Sequence, residues 1–199
     1  MNPFSQGWSN TPQQRSYVHH NTAGSPSLYG ALPFSAPPNS SPNVIKFTFL
    51  ASNGTILNSP ISGPQAQIYF RVTTDSTTSG FSVVQNARLE SIAVIEWRRH
   101  PVVEIYGIVS KRDSSQLLSL SPDRTHRIMN VRGRNFRWMP HEHYVGLYST
   151  SPVNPQFFGR ILQTADGTAF EVTAEALQIG LLEIFVVSSL LLMCGRSID

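Results

Sequence analysis

The chain lacks most of what marks a secreted protein or an enzyme. It has one cysteine, Cys194, so no intrachain disulfide can form and a reducing compartment suits it. It is poor in charge: 14% of its 199 residues, against about 25% in ordinary soluble domains. Arg15 is the sole charge among the first 43 residues. The opening MNPFSQGWSN has neither the basic nor the apolar run of a secretory leader, which predicts a cytoplasmic protein. The sequons at Asn39 and Asn53 then read as chance matches. No G-x-S-x-G, P-loop, G-x-G-x-x-G, H-E-x-x-H, paired cysteines or calcium loop occurs. Cys194 closes an apolar run where a thiolate is disfavoured, so it reads as inert core. Together these gaps predict a non-enzymatic protein without a cofactor or a metal.

What is present falls into two parts. Residues 1–43 hold seven prolines and are rich in Ser, Asn, Gly and Gln, with no apolar periodicity. Such a segment cannot bury enough surface to offset chain entropy and is expected to be disordered. Its scattered aromatics, Phe4, Trp8, Tyr17, Tyr29 and Phe34, suit short contacts with partner proteins.

From Val44 the punctuation is that of an all-β domain. VIKFTFL (44–50) alternates, Asn53-Gly54 signals a hairpin into TILN, and QIYFRVTT (67–74) points Ile68, Phe70 and Val72 inward. FSVVQ (81–85) and LESIAVIEWRR (89–99) follow. His100-Pro101 breaks that run, and VVEIYGIVS (102–110) returns from it as a hairpin partner. LLSL (117–120), RIMNV (127–131), RNFRWM (134–139), YVGLYS (144–149), FFGRILQ (157–163) and AFEVT (169–173) complete about ten to twelve strands, with Asp166-Gly167 as the last tight turn. Such spacing indicates a sandwich or a barrel.

The chain then closes on AEALQIGLLEIFVVSSLLLMC (174–194), predicted as one helix of roughly 31 Å with Thr173 as N-cap and a stop at Gly195. Its polar residues form no continuous stripe, so it must be buried in a core or in a bilayer. As a tail anchor it falls short. The unbroken apolar part, 184–194, has eleven residues and includes two serines, whereas a span needs about 20. Glu183 would also lie at membrane depth. A barrel of this many strands has an interior that a helix can fill. Burial in the core is therefore the first expectation and a C-terminal tail anchor the alternative.

Thirteen of the fifteen basic residues are arginines, and ten of the fifteen fall within 88–137 beside five acids. Arg98, Arg99, Lys111, Arg112, Arg132, Arg134 and Arg137 are the candidate anion-binding residues. Arg98 and Arg99 lie at the turn of the predicted hairpin, Lys111 and Arg112 at its open end. Arg137 faces outward if Phe136 and Trp138 face the core. Arginines beside an anionic surface suit lipid head groups. The aromatics alternate inward, so nucleic acid, which needs exposed stacking rings, ranks lower. His141 and His143 would share a strand face, but a metal site needs a third ligand, and His100 and His126 serve only if folding brings them near. His141-Glu142-His143 thus reads as a polar loop.

An aromatic-rich extended start, IAVIEW before a Pro-broken hairpin, GRNFRW, FFGRI and the closing ALQIGLLEIFVVSSLLL follow one another in order. Over residues 44–199 this resembles the uncharacterised fungal domains that group with the tubby C-terminal, LURP-one and phospholipid-scramblase superfamily. The resemblance implies a closed antiparallel barrel of about twelve strands around a hydrophobic C-terminal helix, mainly β with one helix. Tubby proteins bind phosphoinositides through basic residues, and no such motif aligns here position by position. The expectation is a cytoplasmic or peripheral-membrane module binding anionic lipids or proteins.

Overall fold

The computed structural model describes residues 43–51, 55–75, 80–165 and 167–199. The expected disordered tail through residue 42, the Asn53-Gly54 turn and Asp166 of the last turn lie outside the described residues.

Period-two burial lays down thirteen strands. They are β1 (Val44–Phe49), β2 (Pro60–Ser62), β3 (Ile68–Thr74), β4 (Phe81–Asn86), β5 (Ser91–Glu96), β6 (Val102–Ile105) and β7 (Val109–Asp113). After a single helical turn, α1 (Ser114–Leu117), come β8 (Ser119–Leu120), β9 (Arg127–Val131), β10 (Arg134–Pro140), β11 (Tyr144–Ser149), β12 (Phe157–Thr164) and β13 (Gly167–Thr173). Two helices close the chain, α2 (Ala174–Gln178) and α3 (Leu182–Met193).

All the strands join one antiparallel sheet in the order β7-β6-β5-β4-β3-β2-β1-β13-β12-β11-β10-β9-β8. The sheet is not a closed barrel, which corrects the expectation. An odd number of strands, each antiparallel to its neighbour, leaves the two edge strands β7 and β8 pointing the same way, so an all-antiparallel ladder cannot complete a ring. β8 is also only two residues long and pairs with β9 alone. The seam between these edges holds α1, which touches β6, β7, β8 and β9.

Three local expectations also change. Residues 56–58, expected in a strand, form a 3-10 turn whose amide at Leu57 donates to the Thr55 hydroxyl at 3.3 Å. Residues 102–110 are two strands, because Gly107 takes φ 73° and reverses the chain. The long helix is two pieces. Gly180 at φ 73° breaks it, and only α2 uses the Thr173 cap, whose hydroxyl accepts from the Ala176 amide at 3.2 Å. Among the described residues no helix is long and apolar enough to cross a membrane. The twelve residues of α3 measure about 18 Å, against a hydrocarbon core of about 30 Å.

The expected burial of the final helix does hold. Every residue from 184 to 191 is buried, and α3 touches both β5 and β13, which stand far apart in the sheet order. The sheet therefore curls around α3 without closing. Phe185 is the pivot. Its ring meets Trp138 edge-on at 5.1 Å and stacks with Phe170 at 6.1 Å. It also lies over the backbone of Gly159, where an added Cβ would stand 2.6 Å from the ring and 2.2 Å from the Glu171 carbonyl oxygen. The break at Gly180 also explains Glu183. It sits half-buried in the first turn of α3, where the helix dipole favours an anion, rather than at the middle of a buried rod.

Two adjacent serines in α3 test this packing with opposite signs. The Ser189 hydroxyl donates to the Phe185 carbonyl at 2.7 Å, whereas the Ser188 hydroxyl is buried with no partner among the described residues. In urea unfolding, Ser188→Ala should raise the unfolding free energy by up to about 1 kcal/mol, and Ser189→Ala should lower it by a similar amount. Phe185→Ala should cost about 3–5 kcal/mol.

Candidate functional site

Antiparallel register decides which turns share an edge of the sheet. Glu96 at the end of β5 pairs with Val102 at the start of β6, and Asp113 at the end of β7 pairs with the same Val102. Arg98, Arg99, Lys111 and Arg112 therefore lie together at one edge. This corrects the sequence placement of the two pairs at opposite ends of one hairpin, and the extra turn at Gly107 is the cause. Following the ladders across the sheet places the 121–126 loop and the 141–143 loop at this same edge. Arg132 and Arg134, on the β9–β10 turn, lie at the opposite edge.

The candidate cations differ in how they are held. Glu96 takes Arg98 at 2.5 Å and Lys111 on its other oxygen. The Lys111 hydrogen bond, helped by the Arg98 charge, keeps the Glu96 carboxyl below the usual carboxylate range. Arg112 donates to the carbonyl and hydroxyl oxygens of Ser110 at 3.2 and 3.0 Å. Among the described residues neither it nor Arg99 has an acidic partner. Arg132, at φ 51°, lays its guanidinium against Gly180. Arg134 is exposed. Arg137 faces away from the buried Phe136 and Trp138, as alternation required, and donates to the Ser151 carbonyl at 3.3 Å.

His141, Glu142 and His143 form a loop between β10 and β11, with His141 stacked on Tyr144 at 4.4 Å. Among the described residues no group of three or more His, Cys, Asp or Glu is placed to hold a metal ion. Burial pushes the Cys194 thiol up, which keeps it protonated.

A grouping not picked out in the sequence lies at the cationic edge. A cleft of about 170 Å³ opens there, with Arg124, His126 and Arg127 on one side and Leu120, Trp138, Val145 and Leu192 on the other. Asp123 builds its rim. Its carboxylate accepts from the Ser121 hydroxyl at 2.5 Å, the Thr125 amide at 3.2 Å and the Thr125 hydroxyl at 2.9 Å. These bonds, the Ser121 one foremost, bring its carboxyl down to about 2. They also hold Arg124 at φ 59°, a conformation that an arginine rarely adopts unsupported. The signal was legible: Asp with Ser two residues before and Thr two after is a self-bonding turn.

Arg127 is fixed differently. One guanidinium nitrogen donates to the Leu118 carbonyl at 2.8 Å and to Asp199 at 2.9 Å, and the other donates to Asp199 at 2.6 Å. Nearby, the Ser114 hydroxyl donates to the Ile198 carbonyl at 2.9 Å, and Arg196 lies 4.8 Å over the Trp97 ring. Residues 196–199 thus cross the seam from the β5 side to β9.

A model of a family of unknown function, DUF6593, matches residues 52–192. No curated protein matches the chain. An X-ray structure of a protein from Arabidopsis thaliana is similar at 12% identity and a TM-score of 0.43, over 75% of this chain and 93% of that one. That likeness is too slight to bear on function.

Because the folded-state pKa of Asp123 is depressed, the order it gives the loop is present above the usual carboxylate range and lost as pH falls through about 2. The Asp123 side-chain carboxyl resonance should hold its position through the usual carboxylate range and move only as pH approaches 2. Asp123→Ala should speed amide exchange at Thr125 and His126 at neutral pH.

Proposed function

We propose, from the premise that the chain belongs to DUF6593, a family of unknown function, that it is a non-catalytic module binding anionic phospholipid head groups through the edge that carries Arg98, Arg99, Lys111 and Arg112. The observation that carries this is the pairing of uncommitted cations with exposed apolar side chains at one edge. Arg99, Arg112 and Arg124 have no acidic partner among the described residues. Leu50 and Phe81, each 46% exposed, stand at the same edge, after β1 and at the start of β4. Cations near an anionic surface contribute about 1 kcal/mol each, and exposed apolar tips add shallow insertion. Three acids at this edge are engaged: Glu96 by Arg98 and Lys111, Asp199 by Arg127, Asp123 by its own loop. Kinship with the tubby, LURP-one and scramblase superfamily would fit such a module. The enclosure of α3 favours peripheral contact over a tail anchor.

The test is co-sedimentation of the full chain with phosphatidylcholine vesicles, with and without phosphatidylserine or a phosphoinositide. Arg99→Ala combined with Arg112→Ala should weaken binding to anionic vesicles roughly tenfold or more, and added salt should weaken it further. Arg132→Ala with Arg134→Ala, at the opposite edge, should leave binding unchanged. Binding that ignores head-group charge would sink the proposal.

A further inference from the structure

We propose that the cleft beside β9 is a binding site for a small carboxylate with an apolar body, and that Asp199 engages Arg127, one of the cations lining it, in the unliganded protein. This goes beyond the membrane proposal, since it requires no bilayer and neither Arg99 nor Arg112.

The cationic half already displays its ligand chemistry. Both outer nitrogens of Arg127 donate to the two oxygens of the Asp199 carboxylate, at 2.9 and 2.6 Å, the fork geometry that any free carboxylate would adopt. The Leu118 carbonyl fixes the guanidinium from behind. Arg124 has no ion pair of its own among the described residues, and its charge, after that of Arg127, helps to keep Asp199 ionised. Arg124 thus acts on the same carboxylate through space, from a loop held in place by Asp123.

The rest of the lining is largely apolar. Trp138, 1% exposed, forms its floor with Leu120 and Leu192. The indole N–H of Trp138, a residue that lines the cleft, is buried without a partner among the described residues. A cleft of about 170 Å³ suits a short chain or a single ring. The ligand class is therefore a carboxylic acid of short-chain or single-ring size, which exchanges with Asp199 on Arg127 while its body lies on Trp138.

Hexanoate is the probe, titrated calorimetrically into the full chain without lipid, with 1-hexanol and hexylammonium as neutral and cationic counterparts. Hexanoate should bind in preference to both, and the Trp138 indole N–H resonance should shift on binding. Asp199→Asn weakens the competitor for the fork and should tighten hexanoate several-fold. Arg124→Gln, on an exposed loop where folding is not at risk, should weaken it about tenfold or more, the loss expected for one charged hydrogen bond. Hexanol binding as well as hexanoate, no hexanoate binding to the Asp199→Asn chain, or an affinity indifferent to Asp199→Asn would each overturn the proposal. Vesicle binding by the Arg99→Ala, Arg112→Ala chain, measured separately, keeps failure here distinct from failure of the membrane proposal.

Discussion

A helix without a polar face is the constraint from which the rest of this structure follows. Residues 184–191 are all buried, so every side of α3 must be covered by protein. A flat sheet covers one side of a helix. Covering the remainder obliges the sheet to curl until β5 and β13 both touch α3. The curl in turn needs a place where backbone and helix come close, and Gly159 supplies it. Phe185 rests on that glycine, and Trp138 and Phe170 pack against its ring. The aromatic residues of β10 and β13 are inward, against the helix, which leaves Arg137, between Phe136 and Trp138, facing the other way.

Much of this was legible because it rests on local periodicity. The strands of residues 127–173 lie close to where alternation put them, and Thr173 and Gly195 act as the ends they resembled. What escaped were single-residue reversals inside apolar runs. Gly107 and Gly180 each take φ 73° in the middle of a stretch whose apolar character is continuous. Periodicity averages over several residues and does not register one left-handed glycine. Closure escaped for another reason. Whether a ladder meets itself depends on whether its two edge strands pair, and β8, only two residues long, pairs with β9 alone, which the apolar pattern does not show.

Those two errors had consequences of different size. The break at Gly180 moved Glu183 from an unexplained interior to a favourable first turn, a local matter. The break at Gly107 moved Lys111 and Arg112 from one edge of the sheet to the other, because in an antiparallel meander each added turn inverts the end at which all later residues stand. Which of the candidate cations stand together was not readable from the sequence. Arg132 and Arg134 are separated from Arg98 and Arg99 by the length of the strands. Arg124 and Arg127, which join Arg98 and Arg99 at their edge, were overlooked because no single residue among them looks unusual. It is the Asp123 turn and the Asp199 carboxylate that give them a fixed geometry.

The seam ties this geometry back to the fold. Since β7 and β8 run the same way, the sheet leaves an opening that hydrogen-bonded strands do not fill, and α1 with residues 196–199 occupies it instead. Ser114 and Arg127 stand on either side of that opening, and the same short segment binds both, through Ile198 and Asp199. A carboxylate arriving on Arg127 therefore competes with a structural contact and not with water alone. Linkage makes the competition reciprocal. By whatever factor a ligand favours release of Asp199, release of Asp199 favours the ligand. The opening that the unpaired edges β7 and β8 leave is thus also the place where, on the proposed reading, occupancy of the cleft and closure of the seam are one equilibrium.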